Sequence, residues 1–330
     1  MRYRDCIQKY LLIDEPKSGQ LVPFILNKVQ IKYYNELCRD YDIEKKGLSI
    51  PIREKILKAR REGFTSLILG LFAVDDFLSE NPTETLVLSY KDEGTKIFRK
   101  RYKTFLTSYS ARKLGYSIAQ IQRTPSILDQ IAKQIFVVDS DELILKHNKA
   151  HFYCGTASAR VAGRGGVLQK LLFTESAFYP DTEKMTAKEI IDGTARQVDI
   201  NSGWVFSEST ANGYGNYYEL MWHQAKAGLI RYKPRFYGWK EFYTQEEFNL
   251  ISSEFVDKNI TTNKELKITK GISLVSNDAP SLNESMYSSF FVFFLPLKGS
   301  FVINISVSKY LTLSPFSTPV NAENTTKLSS

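Results

Sequence analysis

Beyond position 50 the chain alternates short, mostly apolar runs with segments whose apolar residues recur at helical spacing. IREKILKA (Ile52–Ala59), TLVLSY (Thr85–Tyr90), QIFVVDS (Gln134–Ser140), KAHFYCG (Lys149–Gly155), LQKLLFTE (Leu168–Glu175) and GWVFSEST (Gly203–Thr210) read as strands. Between them TSLILGLFAVDDFL (Thr65–Leu78), a charged segment running to about Lys103, and NYYELMWHQAKAG (Asn216–Gly228) read as helices, as does VQIKYYNELCRDY (Val29–Tyr41) upstream. This alternation predicts an α/β domain with a largely parallel sheet between helices. In this reading GWVFSEST is the last clear strand, and PRFYGWKEFYTQEEF (Pro234–Phe248) is an aromatic stretch used for packing.

The pattern changes near residue 270. From Gly271 to Ser330 there are six charged residues in sixty positions, serine is dense, and FFVFFLPL (Phe290–Leu297) is an apolar clump. The expected organisation is a lead-in over 1–50, a main domain over 51–270 and an atypical tail over 271–330. INISVSKYLTL (Ile303–Leu313) alternates like a strand. Asp278, Glu284 and Glu323 are the tail's acids, too scattered for a two-metal nuclease. The tail reads as the product of a different frame, or as a linker with a few strands.

Composition narrows the function classes. The 330 residues carry a net charge of +8, which suits a polyanionic partner and equally an uneven surface. Three cysteines without regular spacing argue against a disulfide framework. His147 and His151 stand four apart with no partner in zinc-like spacing and read as structural. No leader-like or membrane-spanning apolar run is evident.

Three segments carry candidate chemistry. KARREGFTS (Lys58–Ser66) joins a strand to a helix. Gly63 supplies a permissive backbone, Thr65 a hydroxyl at the helix start, and Lys58 and Arg61 the cations, since Phe64 occupies the usual place of a phosphate-loop lysine. RGGVLQKLLFTESAFYPD (Arg164–Asp181) contains a buried-type strand ending in Thr174–Glu175, where Glu175 can orient a water and Thr174 offers only a hydroxyl to a metal. The preceding GTASARVAGRGG (Gly155–Gly166) is glycine-rich and holds Arg160 and Arg164. SESTANGYGNYYELMW (Ser207–Trp222) places a polar turn with Thr210 and Asn212 between a strand and a helix. The basic run IFRKRYK (Ile97–Lys103) reads as a solvated helix face or as a track for DNA phosphates.

Taken in order, these motifs resemble those of the large subunits of tailed-phage terminases, over roughly Val22 to Phe248. The resemblance implies a P-loop NTPase fold of the additional-strand (RecA-like) type, with ATP and Mg²⁺ as cofactors. It implies that Lys58, Arg61, Gly63 and Thr65 hold phosphates, that Gln30 reads adenine, and that Thr65 and Thr174 serve the metal. It further implies Glu175 as the catalytic base, Arg164 as a finger acting on a neighbouring subunit, and Thr210 and Asn212 as the coupling turn. The expected function is ATP-driven translocation of double-stranded viral DNA into a procapsid in the host cytoplasm. The expected partners are a portal protein, a terminase small subunit and further copies in a ring, with no membrane and no nuclease activity from this chain. The alternatives left open are a helicase-type ATPase and an inactive fragment that only binds DNA or a partner.

Overall fold

The computed structural model describes residues 2–137, 142–157, 167–183 and 185–238, Glu241, and two strands within 292–305. By backbone contacts the chain divides into Met1–Lys258 and Asn259–Ser330. The first unit begins with α1 (Tyr3–Tyr10), the hairpin β1 (Leu12–Asp14) and β2 (Leu21–Pro23), α2 (Lys28–Tyr41) and the short α3 (Ile43–Lys46). Then come β3 (Ile52–Lys58), α4 (Phe64–Leu78), β4 (Glu84–Ser89), α5 (Asp92–Lys113), α6 (Ile118–Arg123) and α7 (Ser126–Ile135). They are followed by β5 (Phe136–Val137), β6 (Leu143–Leu145), β7 (His151–Thr156), β8 (Lys170–Thr174), α8 (Ala187–Ala195), β9 (Trp204–Ser209), α9 (Tyr217–Lys226) and β10 (Lys233–Tyr237).

An eight-stranded sheet in the order β10-β3-β9-β8-β4-β7-β6-β5 organises this unit. From β10 to β7 every neighbouring pair is parallel, and β6 and β5 close the far edge antiparallel. The expected α/β class and parallel sheet are thus observed, with β9 lying between β3 and β8. The central strands β3, β9, β8 and β4 are buried on both faces, as helix-covered sheets require. Leu172 and Phe206 face a core built with α1, α2, α4 and α5. Their neighbours Leu171, Phe173 and Val205 face a second core with α8 and Met221 of α9.

α4 is buried along most of its length because its sequence is apolar on every side. The lead-in residues complete its burial. Ile7 of α1 and Phe24 press on Gly70, where an added Cβ would stand 3.3 Å from the Phe24 ring. Residues before position 50 therefore belong to the same core as the sheet.

Two sequence expectations need correction. The charged helix runs ten residues past Lys103, because Phe105, Leu106, Tyr109 and Ala111 give its second half an apolar face. GWVFSEST is not the last strand: Lys233–Tyr237 adds β10 beside β3, with Arg235 opposite Ile56. Arg235 is buried there against Glu54 at 2.8 Å and Asp40 at 2.6 Å, so a charged residue sits where the pattern argued against a strand. Of QIFVVDS, only Phe136–Val137 forms described strand; 138–141 lie outside the described residues.

In the second unit β11 (Val292–Leu297) and β12 (Ser300–Ile305) pair antiparallel, Val292 opposite Ile305. The rest of the tail, Asp278, Glu284 and Glu323 included, lies outside the described residues. Among the described residues no helix is long and apolar enough to cross a membrane.

Candidate active site

Parallel strands point their C-terminal ends at one edge, where loops to the following helices gather functional groups. Here β3, β8 and β9 end side by side. After Lys58 the chain turns through Arg61 (φ 65°) and Gly63 (φ 79°) into α4. Gly63, the N-cap of α4, offers no side-chain cap, which leaves the first N–H groups of the helix for an anion.

Gly63 is required sterically as well as conformationally, since an added Cβ would lie 2.6 Å from Gln30 Nε2. That amide braces the loop: Gln30 Nε2 donates to the Gly63 carbonyl at 2.7 Å, while Oε1 accepts from Asn27 N–H in the capping box of α2. Asn27 Nδ2 donates in turn to the Glu62 carbonyl at 3.1 Å. Both polar ends of Gln30 are thus engaged by backbone. Phe64 turns away from the loop into the core, its ring 4.7 Å from Tyr237 and 5.2 Å from Tyr33. The cation comes instead from the strand end.

Lys58 Nζ donates to Glu175 Oε1 at 3.0 Å and stands 3.1 Å from Glu208 Oε2. Burial alone would lower the pKa of this amine, but Glu208 and Glu175 outweigh it and hold the amine charged well above the ordinary lysine range. Glu175 directly follows β8 in a left-handed conformation (φ 51°) and its side chain is 28% exposed. Its other oxygen accepts from the Thr210 backbone N–H and hydroxyl, both at 3.2 Å. Glu208, on β9, has no exposed side-chain surface. Its Oε1 accepts from Thr65 Oγ1 and Thr174 Oγ1, each at 2.6 Å. Its Oε2 faces Lys58 as an ion pair without a well-directed hydrogen bond.

The structure therefore brings Lys58, Thr65, Thr174, Glu175 and Thr210 into one hydrogen-bonded cluster, with Gly63 beside it. Asn212 anchors the same turn, its Nδ2 donating to the Ala177 carbonyl at 2.9 Å. Gln30 lies behind the loop, and Arg61 is exposed upon it. Arg160 and Arg164 fall within 158–166, outside the described residues. His147 and His151 stand apart from the cluster, bonded to the Phe77 carbonyl at 3.0 Å and the Tyr153 hydroxyl at 2.8 Å. On α5, Lys100 and Lys103 of the basic run are exposed, whereas Tyr102 stacks on Phe152 inside the core.

Sequence reasoning missed two acids. Glu208 is the hub of the cluster, and its only signal was a charge inside an otherwise buried strand. Glu62, in the loop, is buried with neither carboxyl oxygen in a well-directed hydrogen bond; desolvation pushes its pKa up to about 8, against the pull of Lys58 and the nearby Ala59 N–H.

No protein-family model matches the chain, and no curated protein matches it significantly. Among solved structures it is similar to the HK97 bacteriophage large terminase, at 15% identity and a TM-score of 0.48, over 72% of this chain and 43% of that one. It is similar also to the Thermus phage P74-26 large terminase ATPase domain, at 11% identity and a TM-score of 0.40, over 63% and 84% of the two chains. A third is the large terminase of a thermophilic bacteriophage in complex with ATP-gamma-S, at 10% identity and a TM-score of 0.38, over 67% and 47%. The chain thus spans less than half the length of the first and third.

Proposed function

We propose that this chain binds ATP with Mg²⁺ and hydrolyses it as the motor part of a phage terminase large subunit, moving double-stranded DNA into a procapsid. The observation that carries the reading is the convergence, at the C-terminal edge of a parallel sheet, of a loop-entry lysine, a helix N-terminus bearing Thr65, and the carboxylate Glu175. Lys58, Arg61, the Gly63 turn and Thr65 take the phosphates, and Gln30 braces the loop that holds them. Glu175 orients the attacking water, with the Thr210 N–H and hydroxyl fixing one of its oxygens. Because Thr210 and Asn212 hang on Glu175 and Ala177, a change at the phosphates reaches the turn before α9, which supports their role in coupling. Arg164 acts on the site of a neighbouring copy in a ring docked on a portal protein, with a small subunit as further partner, in the host cytoplasm.

The donor set fits Mg²⁺. Thr65, Thr174 and the carboxylates offer hard oxygen ligands, and Mg²⁺ in nucleotide sites takes one or two protein oxygens, the rest coming from phosphates and water. When bound, the ion neutralises charge developing on the transferred phosphoryl group. The deciding experiment measures binding of a fluorescent ATP analogue and ATP turnover by the same preparation. Binding with turnover, and binding without turnover in Glu175→Gln, is the expected result. A folded chain that binds DNA but no nucleotide overturns this reading in favour of a binding-only fragment.

A further inference from the structure

Resting on that reading, we infer that Glu208 on β9, rather than a residue of the acid-ended strand β8, supplies the carboxylate that holds the divalent cation of the nucleotide. In the parallel sheet Thr174 and Glu208 are register partners, so their side chains leave the same face side by side. The carboxylate that Thr174 lacks is thereby provided one strand away. Thr174 donates its hydroxyl to Glu208 Oε1, and so does Thr65 at the start of α4, both at 2.6 Å. Glu208 thus touches the hydroxyl nearest the proposed phosphate position, and Thr174 acts by orienting it.

The balance of charge points the same way. A buried carboxylate needs a counter-ion. Lys58 fills that need for Glu208 and Glu175 together. Once Lys58 turns to the phosphates, both acids lose it. Glu175, 28% exposed, falls back on water and on Thr210. Glu208 keeps the hydroxyls of Thr65 and Thr174 on Oε1, but with no exposed surface its Oε2 is left with neither water nor a directed hydrogen bond. A hard cation arriving with the nucleotide meets that need, whereas two neutral hydroxyls alone supply no anionic oxygen.

The test reads binding, not turnover. The affinity of the full chain for a fluorescent ADP analogue is measured with Mg²⁺ and with EDTA, and Mn²⁺ uptake is followed by electron paramagnetic resonance. The parent chain should bind the nucleotide at least tenfold tighter with metal. Glu208→Gln should lose at least tenfold of that metal dependence while its metal-free affinity stays within about threefold. Glu208→Gln with Thr174→Asp should regain it, because the register pair returns a carboxylate to the same face. Thr174→Val should keep most of it, and this variant decides the matter if Glu208→Gln does not fold. A folded Glu208→Gln with full metal dependence, loss of that dependence in Thr174→Val, or a parent chain binding nucleotide without regard to metal overturns the inference and leaves nucleotide binding standing. A parent chain that binds no nucleotide overturns the proposed function itself.

Discussion

The sheet carries two lysine–dicarboxylate clusters, one at each end, and they are built to different ends. At the N-terminal end of β8, Lys170 lies between Asp75, whose contact is very short, and Asp76 at 2.6 Å. There each carboxylate oxygen is taken: Tyr3 donates to Asp75, and Thr83, Thr85 and Tyr102 donate to Asp76. At the C-terminal end, Lys58 lies between Glu175 and Glu208, but Glu175 reaches solvent and Glu208 keeps an oxygen without a directed hydrogen bond. A fully satisfied buried network fixes one arrangement of the chain around it. An incompletely satisfied one is ready to exchange partners, as a site must. The same residue types therefore lock the fold at one end and leave chemistry open at the other. A surface hollow lined by Phe77, Tyr109 and His147 adjoins the C-terminal end of α4, away from the loop, and carries none of these groups.

Breaking the closed cluster should cost most stability. Lys170→Met leaves two buried aspartates without their cation, and denaturant unfolding should show a loss of about 3–5 kcal/mol. Lys58→Met should cost less, because only one of its two acids, Glu208, is cut off from water while Glu175 reaches solvent, and should in addition weaken nucleotide binding. Equal destabilisation by the two variants would erase the contrast drawn between the clusters. Glu175→Gln should slow ATP turnover by about a thousandfold with nucleotide affinity nearly intact, since the side chain acts on water; turnover at the parent rate would move the base elsewhere.

Glu62 sharpens the comparison through pH. Its folded pKa of about 8 lies above the ordinary carboxylate value, so the fold favours its protonated form. Its contribution is fully present below about pH 4.3 and is lost as pH rises through about 8. Stability of the parent chain should therefore fall by on the order of 2–4 kcal/mol between pH 5 and 8, and Glu62→Gln should remove that slope in urea titrations. An unchanged slope would show that the loop carboxyl is already ionised. Thr210→Ala is the mildest change, removing one hydroxyl donor from Glu175 and costing about 1 kcal/mol of stability. Its turnover should drop more than its nucleotide affinity, and the reverse split would place Thr210 at the phosphates.

Much of the molecule was legible without coordinates. Ile52–Lys58, Phe64–Leu78, Trp204–Ser209 and Tyr217–Lys226 fall close to where periodicity places them, because period and breaker residues are local properties of the chain. The turn at Gly63, the acid after β8 and the polar turn at Thr210 were visible for the same reason. Which strands lie next to one another is a non-local matter, settled by packing across the sheet. β10 was missed because Arg235 interrupts its apolar pattern, and only the carboxylates of Glu54 and Asp40, brought in from β3 and α2, make that arginine a core residue. Glu208 was passed over for the opposite reason. Its significance lies in standing opposite Thr174 and beneath Thr65, contacts with residues 34 and 143 positions away that no spacing rule encodes. Local pattern along the chain was enough to set the layers, the turns and the kinds of chemical group available. Which of those groups share a charge was settled only on folding, because burial and register, not proximity along the chain, choose their partners.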